Sequence, residues 1–231
     1  MRHIKAIAIG LAMYVVSITV LADFFSETKI KAEEGNAAAQ FNLGLFYAQG
    51  KEIGQDFDKA RYWYQKAADQ GLAAAQNNLG GLYDHGIGVA QDQSKAVGLY
   101  TQAAEQGDAQ AQYNLALMYE QGYGVAQDYS KAKYWYEQSA EQGIAESLYN
   151  LGVIYYNGYG VDQDYAKAFE LYQQAAEKGL PDAQNNLALM YFEGQGVAQD
   201  VTKAKAWFKK SCDSGDGLGC GNYRIIDEAG L

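Results

Sequence analysis

The sequence is poor in the residues that most enzyme chemistry requires. Its 231 residues hold two histidines, two cysteines and one proline. His85 is the one histidine beyond the N-terminal leader described below, so a histidine-based triad has a single candidate base. It stands just before a glycine, in a slot that other stretches fill with Gln or Asn, which marks an exposed polar position. Cys212 and Cys220 have no His or further Cys beside them, so no metal-ligand motif forms. A P-loop lysine pattern and a dinucleotide fingerprint are missing too. Positive charge is short: 18 Lys and Arg face 28 Asp and Glu, for a net charge of −10. With no basic cluster, nucleic acid is excluded as a partner, and an acidic surface repels anionic lipid. No catalytic residue, cofactor or metal is expected.

Apolar residues are plentiful, at 48% with 13% aromatic, which suffices for a core, and 20% charge is too little for disorder. Residues 1–22 stand apart. Arg2 and Lys5 precede an uncharged run from Ala6 to Leu21, and Ala22 is a small residue before Asp23. That layout predicts a signal peptide over 1–22, cut after Ala22. The run is short for a spanning helix, the alternative being an uncleaved anchor. Removal of the leader takes the net charge from −10 to −12. The expected location is periplasmic or secreted, with no stable membrane insertion after cleavage.

Shifted by 36 residues, the chain matches itself. Glycine recurs at Gly35, Gly71, Gly107, Gly143, Gly179 and Gly215, and asparagine at Asn42, Asn78, Asn114, Asn150, Asn186 and Asn222. Leu43, Leu79, Leu115, Leu151 and Leu187 follow, then Tyr47, Tyr83, Tyr119, Tyr155 and Tyr191. A Gln-Asp pair and, three residues on, a Lys-Ala pair complete each of five copies, as in Gln127-Asp128 and Lys131-Ala132. Each copy reads as two helices. Ala111, Leu115 and Tyr119 form the apolar stripe of helix A; Ala132, Tyr136 and Ala140 form that of helix B. Asp128 is placed to cap helix B, Gly122 and Gly143 to end helices, and Pro181 to open one. Gly44, Gly80, Ala116, Gly152 and Ala188 let neighbouring helices approach closely.

One helix pair cannot bury its apolar face alone, but stacked pairs can, so the expected fold is an all-α, α/α solenoid superhelix. Its domains are the leader 1–22, an N-terminal capping helix 23–34, five repeats over 35–214 and a C-terminal capping helix 215–231. Gly-x-Gly at the A-to-B turn recurs in four copies and has no phosphate-binding lysine in register, so it is architecture. In the first copy Glu52 replaces the second glycine, and that turn is expected to differ.

The pattern A-x-x-N-L-G-x-x-Y-x-x-G-x-G-V-x-Q-D-x-x-K-A-x-x-x-Y-x-x-A-A-x-x-G is similar to the Sel-one-like repeat, a relative of the tetratricopeptide repeat. The resemblance covers essentially the whole mature chain. It implies a superhelix whose concave surface, lined by helix A, binds proteins or peptides. By analogy with related helical repeats, the groove positions are Phe41, Asn42, Leu45 and Gln49 in copy one, and Asn77, Asn78, Asp84 and His85 in copy two. Copy three offers Tyr113, Asn114, Leu117, Glu120 and Gln121; copy four Tyr149, Asn150, Val153, Tyr156 and Asn157; copy five Asn185, Asn186, Leu189, Phe192 and Glu193. That surface is aromatic, amide-rich and mildly acidic. The recurrent Asn has two readings: a grip on an extended peptide backbone, or a bond to an adjacent helix. The recurrent Tyr is core by its spacing, whereas Tyr113, Tyr149, Tyr156 and Phe192 vary between copies and are anchor candidates.

Cys212 and Cys220 take slots held elsewhere by Ala68, Ala104 and Ala176, and by Gln76, Gln112 and Gln184. A tight turn between antiparallel helices brings such slots together, so a disulfide is expected in an oxidising compartment; two buried thiols, or a redox or metal role, are the alternatives. The spacing is similar to the cysteine-rich branch of the family. β-Lactam hydrolysis is attributed to relatives there, and Ser26-x-x-Lys29 matches one of its motif types, but the companion S-D-N and K-T-G motifs are missing. The leading expectation is an exported scaffold for protein or peptide partners, regulatory or assembling in the cell envelope. A secreted factor for host proteins and a β-lactam hydrolase are the alternatives.

Overall fold

The computed structural model describes residues 24–50 and 54–230. The leader 1–22 and the departure at Glu52 lie outside them. Among the described residues the chain is all helix and turn: α1 over 24–33, then α2 Ala37–Gln49, α3 Phe57–Asp69, α4 Ala73–His85, α5 Gln93–Glu105, α6 Ala109–Gln121, α7 Tyr129–Glu141, α8 Ala145–Asn157, α9 Tyr165–Glu177, α10 Pro181–Glu193, α11 Val201–Asp213 and α12 Gly217–Glu228. The even-numbered helices are the A helices; α3 to α11, odd-numbered, are the B helices.

Sequence sets these boundaries. Asp56, Asp92, Asp128, Asp164 and Asp200 each accept the backbone N–H three residues on, at 2.9, 2.9, 3.0, 2.9 and 2.9 Å, so every B helix starts on a carboxylate. Such a cap is worth about 1 kcal/mol. The A helices α2, α4, α6, α8 and α10 end on glycines with φ between 64 and 73°, a left-handed turn that any side chain would strain. The Gln of each Gln-Asp pair then closes the A-to-B turn. Gln55, Gln91, Gln127, Gln163 and Gln199 donate through Nε2 to the carbonyls of Ala48, Asp84, Glu120, Tyr156 and Phe192, at 2.7–2.9 Å. The Gly-x-Gly and Gln-Asp signature is therefore turn architecture throughout.

The chain forms two compact units, one up to Ala103 and one from Ala104 onward. In the first, α2 packs on α3 and α3 on α4, over a core that includes Ala32, Ala39 and Leu43 with Phe25, Tyr47 and Trp63. In the second, α6 to α12 stack in sequence around Tyr136, Leu148, Leu151, Ile154, Leu187 and Met190, with Phe208 and Ile226 at the C-terminal end. Small residues on the A helices admit a ring from the paired B helix. A Cβ on Gly44 or Gly152 would stand 2.6 Å from the ring of Tyr64 or Tyr172, and on Gly80 2.9 Å from Tyr100.

Candidate partner-binding face

The recurrent helix-B tyrosines, Tyr64, Tyr100, Tyr136 and Tyr172, are buried, and burial holds their phenols above the ordinary range. The hydroxyls of Tyr64, Tyr136 and Tyr172 meet the recurrent asparagines of the next A helix. Asn150 donates to Tyr136 Oη at 3.0 Å, Asn78 lies against the Tyr64 hydroxyl, and Asn186 against those of Tyr172 and Tyr149. Tyr136 in turn donates to Glu120 Oε2 at 2.5 Å. In the fifth copy Phe208 replaces the tyrosine, and Asn222 turns instead to Asn185 Oδ1 at 2.9 Å. Asn78, Asn150 and Asn186 thus join adjacent copies. Asn185 departs from its expected groove position: it is buried and occupied by Asn222.

The variable aromatics lie on these tyrosines. Phe41 is 5.8 Å from Tyr64, Tyr113 6.0 Å from Tyr136 and Tyr149 5.7 Å from Tyr172, centroid to centroid. Each is half-buried. Asn42 is exposed, Asn114 half-buried, and Phe192 half-buried against the Phe208 cluster. The recurrent helix-A tyrosines are less deep than their spacing suggests. Tyr83 is buried, but Tyr47, Tyr119, Tyr155 and Tyr191 are half-buried. The lysines of four Lys-Ala pairs lie over their rings: Lys59, Lys95, Lys131 and Lys203 sit 5.2, 4.0, 5.0 and 5.2 Å over Tyr47, Tyr83, Tyr119 and Tyr191.

Within the second unit these features enclose a pocket of about 310 Å³. Tyr149, Val153, Tyr156 and Asn157 enter from α8, Asn186, Leu189 and Met190 from α10, and Tyr172 from α9. Tyr156 is held by donating to Gln195 Oε1 at 2.8 Å. Burial raises its phenol, as does the nearby carboxylate of exposed Glu193. Burial also raises Tyr149, beside the negative charges of Asp182, Asp216 and Glu120. In the first unit a smaller pocket of about 230 Å³ is lined by Phe24, Asn42, Leu45, Phe46 and Gln49.

His85 is exposed and lies 3.5 Å from the Asp84 carboxylate. Lys29, of the Ser26-x-x-Lys29 match, faces Glu33 at 3.9 Å on α1. Among the described residues no His, Cys, Asp and Glu group is arranged to hold a metal ion, and no helix is long and apolar enough to cross a membrane. Cys212 and Cys220 are joined by a disulfide. Its meaning comes from the other copies. Gln40, Gln76, Gln112 and Gln184 are buried and donate to the carbonyls of Ala32, Ala68, Ala104 and Ala176, at 3.1 to 3.4 Å. The disulfide joins the same two slots covalently, and pins α12 to α11.

Antiparallel helix pairs repeated every 36 residues, joined by side-chain bridges from copy to copy, make this an α/α solenoid. The chain belongs to the Sel1 repeat family: the family model matches residues 37–72, 73–108, 109–144, 145–180 and 181–216. Sel1 repeat proteins are in general protein-interaction scaffolds. Among solved structures, a Sel1 repeat protein from Oxalobacter formigenes is 36% identical with a TM-score of 0.77, over 80% of this chain and 74% of that one. The protective antigen c5321 of uropathogenic Escherichia coli, which displays an SLR fold, is 34% identical with a TM-score of 0.75. That match covers 90% of this chain but 52% of the antigen, so this chain spans about half its length. A putative Sel1 repeat protein from Klebsiella pneumoniae is 26% identical with a TM-score of 0.56, over 88% of this chain and 99% of that one. No curated protein matches the chain.

Proposed function

We propose that the chain is an exported, non-catalytic scaffold that holds an extended segment of a partner protein against α8 and α10. The observation that carries this reading is the pocket between those helices. It combines rings that vary between copies with amides held in place by the repeat. Fixed amides offer donors and acceptors to a peptide backbone, and half-buried aromatics offer area at low entropic cost. Export fits the leader expected over 1–22 and the disulfide, which persists in oxidising compartments.

The test uses a photo-crosslinking amino acid in the mature protein, inside the cells that produce it. Placed at Leu189, on the pocket, it should give discrete protein adducts. Placed at exposed Glu170, on the outer surface of α9, it should give none. Equal labelling at both positions, or no adduct at Leu189, overturns the reading. Fractionation with protease shaving separates a periplasmic scaffold from a secreted one.

A further inference from the structure

Charge is sorted by helix type. The A helices α2, α4, α6, α8 and α10 contain no lysine or arginine. They carry Asp84, Glu120, Glu146, Asp182 and Glu193. The B helices hold lysines, and acids on or capping them pair locally: Asp56 with Lys59, Asp128 with Lys131, Glu137 with Lys133 and Asp200 with Lys203, at 2.8 to 3.9 Å. Among the described residues no ion pair reaches Glu146, Asp182 or Glu193. The B helices thus carry both signs, whereas α2, α4, α6, α8 and α10 carry acids without lysine or arginine and so keep a negative field.

The α8–α10 pocket lies within that field. Three tyrosines form walls, two asparagines offer amide oxygens, and none of its lining residues is cationic. On α10, Asp182 lies about one helical turn before Asn186 and Glu193 about one turn after Met190, so carboxylates stand beyond the lining at both ends of that helix, and burial and their charge hold the phenols of Tyr149 and Tyr156 up. A neutral aliphatic side chain would use the walls and leave the charges idle; an acidic one would be repelled. A guanidinium suits these components: its face can stack on a ring, its five N–H groups can donate to the amide oxygens, and its charge is favoured by the carboxylates at the ends of α10. We propose that the pocket takes a cationic side chain, arginine above all, from an extended basic segment of a partner protein. This rests on the reading that the α8–α10 face binds a peptide. The negative field also steers such a partner and makes association sensitive to salt.

The experiment measures binding of short unstructured peptides, identical except at one central residue, to the mature protein. Arginine should bind about tenfold more tightly than citrulline, its neutral isostere, the ratio expected of a partly desolvated cation–π contact with a carboxylate nearby. The Asp182→Asn, Glu193→Gln variant changes two exposed residues, and its folding is checked by its helical signal. There the ratio should fall to about threefold or less, because the ring contact alone remains. Citrulline or norleucine binding as well as arginine overturns the cation, yet leaves the peptide-binding reading standing. A preference for glutamate does the same. An unchanged ratio in the variant overturns the role of the carboxylates. If no peptide of any class binds, both readings fall.

Discussion

Tyr136 offers the sharpest test of how the copies are joined. Its side chain is fully buried, yet its hydroxyl serves two partners on different helices, donating to Glu120 on α6 and accepting from Asn150 on α8. Tyr136→Phe keeps the ring and removes only the oxygen. A hydrogen bond to a charged group contributes about 1.5–3 kcal/mol and a neutral one about 1 kcal/mol, but both partners are half-exposed and regain water, so the expected loss is about 2 kcal/mol. For a protein of this size that is a fall in Tm of about 4–8 °C. Urea unfolding of the mature protein, followed by far-ultraviolet circular dichroism, measures it. A double-mutant cycle with Glu120→Ala should return a coupling of about 1 kcal/mol. A Tyr136→Phe protein within about 0.3 kcal/mol of the parent, or a cycle that is strictly additive, refutes the bridge. The chain supplies its own precedent, since Phe208 fills the same slot and Asn222 has found another acceptor.

Further outcomes follow from the disulfide slot and from the close contacts of the glycines. Reduction of the disulfide, or Cys212→Ala with Cys220→Ala, should cost about 2–3 kcal/mol for so short a loop, measured by chemical denaturation. The pair Cys212→Ala, Cys220→Gln should recover part of it, because it restores the Gln-to-carbonyl tether of the other copies; no recovery would show that the tether contributes nothing. Gly152→Ala should destabilise by about 1–3 kcal/mol, since its methyl would stand 2.6 Å from the Tyr172 ring, despite the better helix propensity of alanine. Gly98→Ala, with nothing within 4 Å, should stabilise by about 0.5–1 kcal/mol; equal effects in melting experiments would refute the close-packing account.

Period and capping made the fold legible. Asp128 and Gly122 each have one local job, and local jobs leave marks in sequence. The bridges between copies were harder to read because they need two residues from different helices. Gln76 looks like an outward polar residue until the carbonyl of Ala68 is placed beside it. Its signal was the same 36-residue recurrence that marks Gly and Asn, on the buried side of helix A. Asn150 stood open between a ligand role and a structural one, and the hydroxyls of Tyr136 and Tyr113 give it fixed partners. Val153, Tyr156, Asn157 and Leu189 were placed on one surface by repeat position. Their enclosure with Tyr172 depends on side-chain packing, which no spacing rule supplies.

The bridges described above reach one copy along the chain and no farther. Gln142 on α7 bonds back to Gly107 in the copy before it, and Tyr156 forward to Gln195 in the next. A copy inserted or deleted in frame would therefore change the contacts at its own seams and leave those between the other copies in place. The number of copies can then change by duplication with the packing problem confined to the new seams.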